Sequence, residues 1–552
     1  MQFSSRRTRL SAAVLAVALG ATACGGSDDS SNEGSGEGDS NAIVVANGTE
    51  PQNKLLPANT NEVGGGRVMQ LLFEGLVDYD GEGNPVNAVA ESIETEDSQT
   101  YTITLKDGWT FTNGEKVTAK SFVDAWNFGA LITNAQLNSY FFEPIQGYED
   151  VHPADPTPDN EEDPLPEPTA QTMSGLKVVD DQTFTVTLTE PQSDFPIRLG
   201  YTAFMPLPSV AFEDPEAFGE APIGNGPYKM DGAWEHDVQI KTVVNEDYAG
   251  DQEPQNGGVT LRFYQDPAAA YTDLLADNLD VLDIIPDNAI ANFESDLGDR
   301  AINQPAGIFQ SFSFPLYDPK FQGPNSADVR KAVSMAINRE QITETIFNGT
   351  RTPAKDFTSP VVAGFAEDIC GEVCEYKPEE AKALLEQAGG FPGGQMTLSY
   401  NADGPHKGWV DAVCNDIKNN LGVACEGKAY PDFASLRDDV TSNKMDNPFR
   451  TGWQMDYPAV SNFLGPLYAT GAGSNDAQYA NPEFDALIKA GDSAGSPEEG
   501  IEQYQAAQRL LIEDLPAIPL WYQNALGGYA NTVDNVTFDV FSVPVYTDIT
   551  KS

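Results

Sequence analysis

The spacing of apolar and polar residues changes period along the chain. Residues 101–105 alternate as a half-buried strand does, and Asp107-Gly108 marks a turn before Trp109-Thr110-Phe111. Residues 184–188 alternate again, and residues 42–46 are a short apolar run of strand length. The second half of the chain switches to the helical period. Pro378 stands where a first helical turn tolerates it. Ala381, Leu384, Leu385 and Ala388 then share one face, and Gly389-Gly390 closes the helix. Ser496-Pro497-Glu498-Glu499 forms a capping box ahead of the stripe Ile501, Tyr504, Ala507 and Leu511. Val329, Val333 and Ala336, continued by Ile342 and Ile346, predict another helix after Asn325-Ser326. Mixed strands and helices predict α/β lobes. The sequence has no internal repeat.

The N-terminus has a different character. Arg6, Arg7 and Arg9 precede an apolar run from residue 10 to 21, too short to span a bilayer as a helix. It reads as a secretory signal, residues 1–23. Its end, Ala21-Thr22-Ala23-Cys24, resembles the lipobox of bacterial lipoproteins, which implies cleavage before Cys24 and lipid on that cysteine. Residues 24–41 are mostly Gly, Ser, Asp, Glu and Asn, the composition of a flexible tether. No later stretch is long and apolar enough to span a membrane, so lipid is the expected anchor. The expected location is the outer face of the cytoplasmic membrane.

Charge excludes some partners. The net charge is -53, and removal of the signal takes three arginines and no acid. Such a chain repels nucleic acid and anionic lipid. The acidity reads as a solvated surface before it reads as a cation trap, because salt screens surface fields. Residues 152–168 are acidic and proline-rich and read as a surface insertion. Besides Cys24 there are four cysteines, Cys370, Cys374, Cys414 and Cys425. An even number in an exported chain suggests disulfides, with three possible pairings. Cys370–Cys374 and Cys414–Cys425 are favoured because each closes a short loop. A four-cysteine zinc site fits these spacings poorly.

Several segments, in order, resemble the extracellular solute-binding proteins of family 5, the dipeptide, oligopeptide and nickel receptors. They are Asn47-Gly48-Thr49-Glu50-Pro51-Gln52, Leu72-Phe73-Glu74-Gly75-Leu76, the strand and turn through Trp109, and Gly224-Asn225-Gly226-Pro227-Tyr228. Asp328-Val329-Arg330, Ile337-Asn338-Arg339 and Gly452-Trp453-Gln454-Met455-Asp456-Tyr457-Pro458 follow. The resemblance covers roughly residues 42–525. It implies a type II periplasmic-binding fold, with two main lobes, a hinge and an extra third lobe. Lobe I would comprise 42–62, 208–306 and 520–552; lobe II, the extra lobe, 63–207; lobe III, 307–519. It also implies a monomer that binds short peptides and hands them to the permease of an ABC importer, with no cofactor and no catalysis.

A buried peptide needs an acid for its ammonium and a base for its carboxylate. Its backbone between them can be held as an added strand. The resemblance assigns the acid to Asp456 in the Gly-Trp-x-x-Asp-Tyr motif. Arg450, six residues earlier, and His406, in Tyr400-Asn401…His406-Lys407, are implied partners of the carboxylate. Glu50 and Gln52 match a cleft-lining first strand, Tyr140 a contact from the extra lobe, and Trp453 flanks the anchor. The strand 309–314 is a further candidate to pair with ligand backbone.

Other readings remain. The same fold could serve oligosaccharide, nickel chelate or haem; a sugar receptor would not need an ammonium anchor, three histidines argue weakly against metal capture, and a peptide-sensing lipoprotein would have the same body. Gly491-Asp492-Ser493-Ala494-Gly495 matches the nucleophile pattern of hydrolases, but a helical segment precedes it where that mechanism requires a strand. It reads as a small-residue loop, and the protein as no enzyme.

Overall fold

The computed structural model describes residues 40–552 apart from 61, 81–82, 155–164, 403 and 432. Cys24, the signal, nearly all of the tether and most of the acidic insertion lie outside the described residues. The central feature is an eleven-stranded mixed sheet. Its strands run, from one edge, Ala424–Tyr430, Gln395–Asn401, Phe449–Gln454, Ala301–Ser313, Ala517–Tyr529, Val281–Leu282, Ile43–Gly48, Gly258–Phe263, Gln239–Val244 and Tyr228–Met230. Arg351–Pro353 adds to Ala517–Tyr529 outside this path. Ile43–Gly48 pairs in parallel with Gly258–Phe263, a non-local pairing that closes early chain on later chain.

Two large cores flank this sheet. One collects residues from Val44 to Leu261 with the C-terminal segment from Val533 to Ile549. The other collects mostly residues from Phe309 to Tyr522. Ala301–Ser313 and Ala517–Tyr529, each 13 residues long, link the two parts of the sheet, the first pairing also with Phe449–Gln454 and the second with Val281–Leu282. They pair antiparallel, and their register shifts between Pro305 and Ile308. Pro305 has no N–H to donate, so the ladder breaks there and the strand bends. Gly307 lies in this break. Its carbonyl accepts the Met455 N–H at 2.9 Å, and a Cβ at 307 would collide with the Met455 side chain.

A separate four-stranded antiparallel sheet holds Ala90–Thr95, Thr100–Leu105, Thr183–Thr187 and Leu176–Val178. The alternation read from sequence is realised: Tyr101, Ile103 and Leu105 are buried, and Phe184 and Val186 with them. The helix Ala119–Ala130 covers this face with Phe122 and Trp126, whose indole N–H donates to the Phe204 carbonyl at 2.9 Å.

The helix Pro378–Ala388 ends where Gly389 adopts φ +97°, a left-handed cap that glycine takes without strain. Pro497–Asp514 begins at Ser496, whose hydroxyl accepts the Glu499 N–H at 3.3 Å. One expectation needs correction. The single helix through Ile346 is two, Ser326–Met335 and Arg339–Thr345. The Asn338 side chain accepts the Gln341 N–H at 3.1 Å and restarts the chain as a new helix. Disulfides join Cys370 to Cys374 and Cys414 to Cys425. The second ties the exposed edge strand to the helix Lys407–Asp416. Among the described residues no helix is long and apolar enough to cross a membrane.

Candidate functional site

A cavity of about 350 Å³ opens where four segments meet. The helix Val63–Leu72 supplies one wall with Val63, Gly66, Arg67 and Gln70, which share a face at i, i+3, i+4 and i+7. Its cap, Glu62, also lines the cavity and accepts the N–H groups of Gly64 and Gly65 at 2.7 and 2.9 Å. Gln454, Met455 and Asp456, at the end of strand Phe449–Gln454, form another wall. Tyr140, Tyr201 and Thr202 form a third, and Phe541 and Val543 a fourth.

Asp456 is half-buried and oriented by one amide. The carbonyl of the Asn462 side chain accepts both the Trp453 indole N–H at 2.9 Å and the Asp456 backbone N–H at 3.0 Å. The same amide donates through Nδ2 to Asp456 Oδ2 at 2.9 Å. Among the described residues, no Lys, Arg or His nitrogen lies within 4 Å of the Asp456 carboxylate. Burial therefore pushes its pKa up, and only the Asn462 bond and the charge of Arg198 pull it back. Tyr140 is pushed up to about 12 by burial and by the Asp456 charge. Tyr201 is raised for the same reasons, with Tyr140 as a further contributor. The rings of Tyr140, Phe141 and Tyr201 form a ladder, with centroids 4.6 and 4.0 Å apart.

The other expected site residues spread out. Trp453 reaches the anchor through Asn462 and lines a smaller pocket with Thr451, Phe433 and Arg437. Arg450 lies on the same strand as Gln454, with its guanidinium 5.4 Å from the centre of the Phe433 ring. It is not among the residues that line the cavity. His406 is buried at the start of its helix, where its Nδ1 accepts the Trp409 indole N–H at 3.2 Å. Glu50 accepts the Asp237 N–H at 2.9 Å and contacts the His236 ring at 3.3 Å. Gln52 is exposed, and its N–H donates to Glu62 Oε1 at 3.4 Å. Of these seven, the cavity brings together Asp456 and Tyr140. In the strand 309–314, Phe309, Phe312 and Phe314 are core residues, while Ser311 and Ser313 hydrogen-bond Thr451.

Sequence reasoning missed Asn462 as the orienting group, and the wall from Glu62 to Gln70. Asn462 had a signal, since it follows the tryptophan motif at short range. The helix wall had none, because it meets Asp456 only through the tertiary fold.

A second polar cluster joins the segment 193–198 to later chain. Arg198 donates to both oxygens of Asp194 at 3.2 and 3.1 Å and lies 4.8 Å from the centre of the Tyr457 ring. The Ser461 hydroxyl donates to Asp194 Oδ2 at 2.5 Å. The hydrolase-like segment 491–495 belongs to this contact. It begins in the last turn of helix Pro482–Asp492, and its carbonyls accept from the Ser193 hydroxyl, the Ser193 N–H and the Ser98 hydroxyl.

The mixed α/β architecture, with its large sheet and two long paired strands, matches the fold of periplasmic binding proteins. The chain belongs to the bacterial extracellular solute-binding proteins, family 5: the model of that family's middle region matches residues 84–475. Its relatives include the oligopeptide-binding protein OppA of Bacillus subtilis, 26% identical over 92% of this chain and 93% of that one. Among solved structures, the unliganded open form of the periplasmic murein tripeptide binding protein MppA matches with a TM-score of 0.82 at 23% identity. That match covers 93% of this chain and 98% of MppA. OppA of Haemophilus influenzae in complex with RPPGFSPFR matches at 0.66 and 24% identity, covering 93% and 99%.

Proposed function

We propose that this protein is the surface receptor of an ABC importer, held by lipid on Cys24, and that it captures short peptides by pairing Asp456 with their α-ammonium. One observation carries the reading: a partly desolvated carboxylate, fixed by Asn462, faces the cavity without an ion pair among the described residues, and the one cation on the cavity wall, Arg67, is paired with Asp283. Such a group gains most from a ligand that brings the missing positive charge. Tyr140 and Tyr201 give the first ligand residue an aromatic wall. Arg450, outside the cavity wall on strand Phe449–Gln454, would meet a carboxylate only for ligands several residues long, since an extended chain advances about 3.3 Å per residue. The peptide-binding relatives support this substrate class. Bending would fall at the register break beside Met455.

Calorimetry with tri- to pentapeptides and their N-acetylated forms tests the reading. Free peptides should bind and acetylated ones should lose about 100-fold or more, the scale for leaving a buried charge unpaired. Equal binding of both forms rules the ammonium anchor out. Binding of a sugar or metal chelate instead of any peptide rules out the substrate class.

A further inference from the structure

A second cavity, of about 170 Å³, adjoins the first, and Arg67, Gln70, Gly200, Phe541 and Val543 belong to both walls. Its own wall is rich in acids and aromatic rings: Glu74, Asp78 and Asp539 stand among Tyr79, Tyr248 and Tyr546. The only cation on this wall among the described residues is Arg67, which is already paired with the buried Asp283. Lys106 acts on Glu74 only through its charge. Glu74 accepts the Tyr248 hydroxyl at 2.8 Å, and Asp539 accepts the N–H groups of Phe541 and Val543 at 2.9 and 2.8 Å. Independently of the acids, Tyr546 lines the cavity, is 5% exposed, and has a buried hydroxyl with no hydrogen-bond partner among the described residues. A buried phenol oxygen without a partner is costly and accepts readily from an N–H donor.

We propose that this annex takes a basic side chain of the bound peptide, an ammonium or guanidinium held between the carboxylates of Glu74 and Asp78, the tyrosine rings and the Tyr546 hydroxyl. The inference rests on the peptide reading above and narrows it to peptides that carry lysine or arginine. Carboxylates next to aromatic faces are the combination that favours an organic cation. No group of three or more potential ligands among the described residues is arranged to hold a metal ion. The electrostatics agree. Burial and the neighbouring Asp78 push Glu74 up to about 8, and burial pushes Asp539 to about 7 and raises Asp78. Near pH 7 Glu74 therefore holds a proton that a cation would displace.

The test uses the full mature chain and three lysine-substituted trialanines, each matched with its norleucine counterpart, which keeps the alkyl chain and lacks the charge. At least one lysine peptide should bind about tenfold more tightly than its partner. That ratio should fall to about threefold or less in Glu74→Gln, whose side chain still accepts from Tyr248, and in Asp78→Asn. At pH 7 the preferred lysine peptide should also release protons, read as a binding enthalpy that varies with the ionisation enthalpy of the buffer. Glu74→Gln should reduce that release. Ratios near one in the unmodified protein, or a ratio that survives both substitutions, overturn the annex and leave the Asp456 anchor standing. If no peptide binds at all, the anchor falls and the annex with it.

Discussion

Asp194 and Asp456 both act on the ionisation of Tyr457. Asp194 is 2% exposed and closed on all sides: Arg198 holds both oxygens and Ser461 donates to one. Asp456 is half-buried and has one amide to orient it and no ion pair among the described residues. A buried carboxylate that already has its cation is a structural fixture. A desolvated carboxylate that lacks one stores a preference for whatever cation arrives. The two differ because Arg198 sits four residues after Asp194 on the same helical turn, where i,i+4 geometry makes the pair almost unavoidable.

Substitutions should separate the two along different axes. Asp456→Ala should lower peptide affinity by about 100-fold or more, with the melting temperature of the ligand-free protein unchanged or slightly raised. Asp194→Ala should do the reverse. Stranding Arg198 in a buried site should cost about 3–5 kcal/mol in denaturant unfolding. If Asp194→Ala lost affinity at full stability, the distinction between fixture and receptor would fail. Asn462→Leu should fall between them. It leaves the Trp453 indole and the Asp456 N–H without an acceptor, for about 1–3 kcal/mol of stability, and releases the anchor, for roughly a tenfold affinity loss.

pH offers a milder probe. Burial and the charge of Asp194 push Asp492 up to about 6, against an ordinary aspartate value of 3.8. An acid whose folded pKa is raised favours the folded state while both states are protonated, and that contribution is lost as pH rises through the folded value. Ligand-free protein should therefore lose stability between about pH 4 and 6 from this source, and Asp492→Asn should flatten that part of a melting profile. The smallest effect belongs to Glu50. Its carboxylate is tied to Asp237 and His236, away from the cavity wall, so Glu50→Gln should change peptide affinity less than about twofold.

Much of this architecture was legible before any coordinates. Period-two alternation gave the strands at 101–105 and 184–188, and caps gave the helices that begin at Pro378 and Pro497, because both signals are local. The break after Ala336 was harder. Ile342 and Ile346 keep the hydrophobic period, and only the competing bond from Asn338 to the backbone ends one helix and starts the next. Of the cavity wall, Asp456 and Tyr140 were singled out through a motif and a resemblance. Arg450, His406, Glu50 and Gln52 carry the right chemistry, but what a side chain faces is decided by long-range packing. Nothing near Arg67 or Gln70 announces that their helix will stand opposite residue 456.

Gly307 shows how tightly the two long strands are joined to the binding wall. A single added methyl there would meet the thioether of Met455, and Met455 belongs to the cavity lining. The bore of the receptacle is thus set partly from outside it, by the smallest residue at a kink in a crossing strand. Cargo size can in principle be retuned from that spot while every charge around the ligand stays where it is.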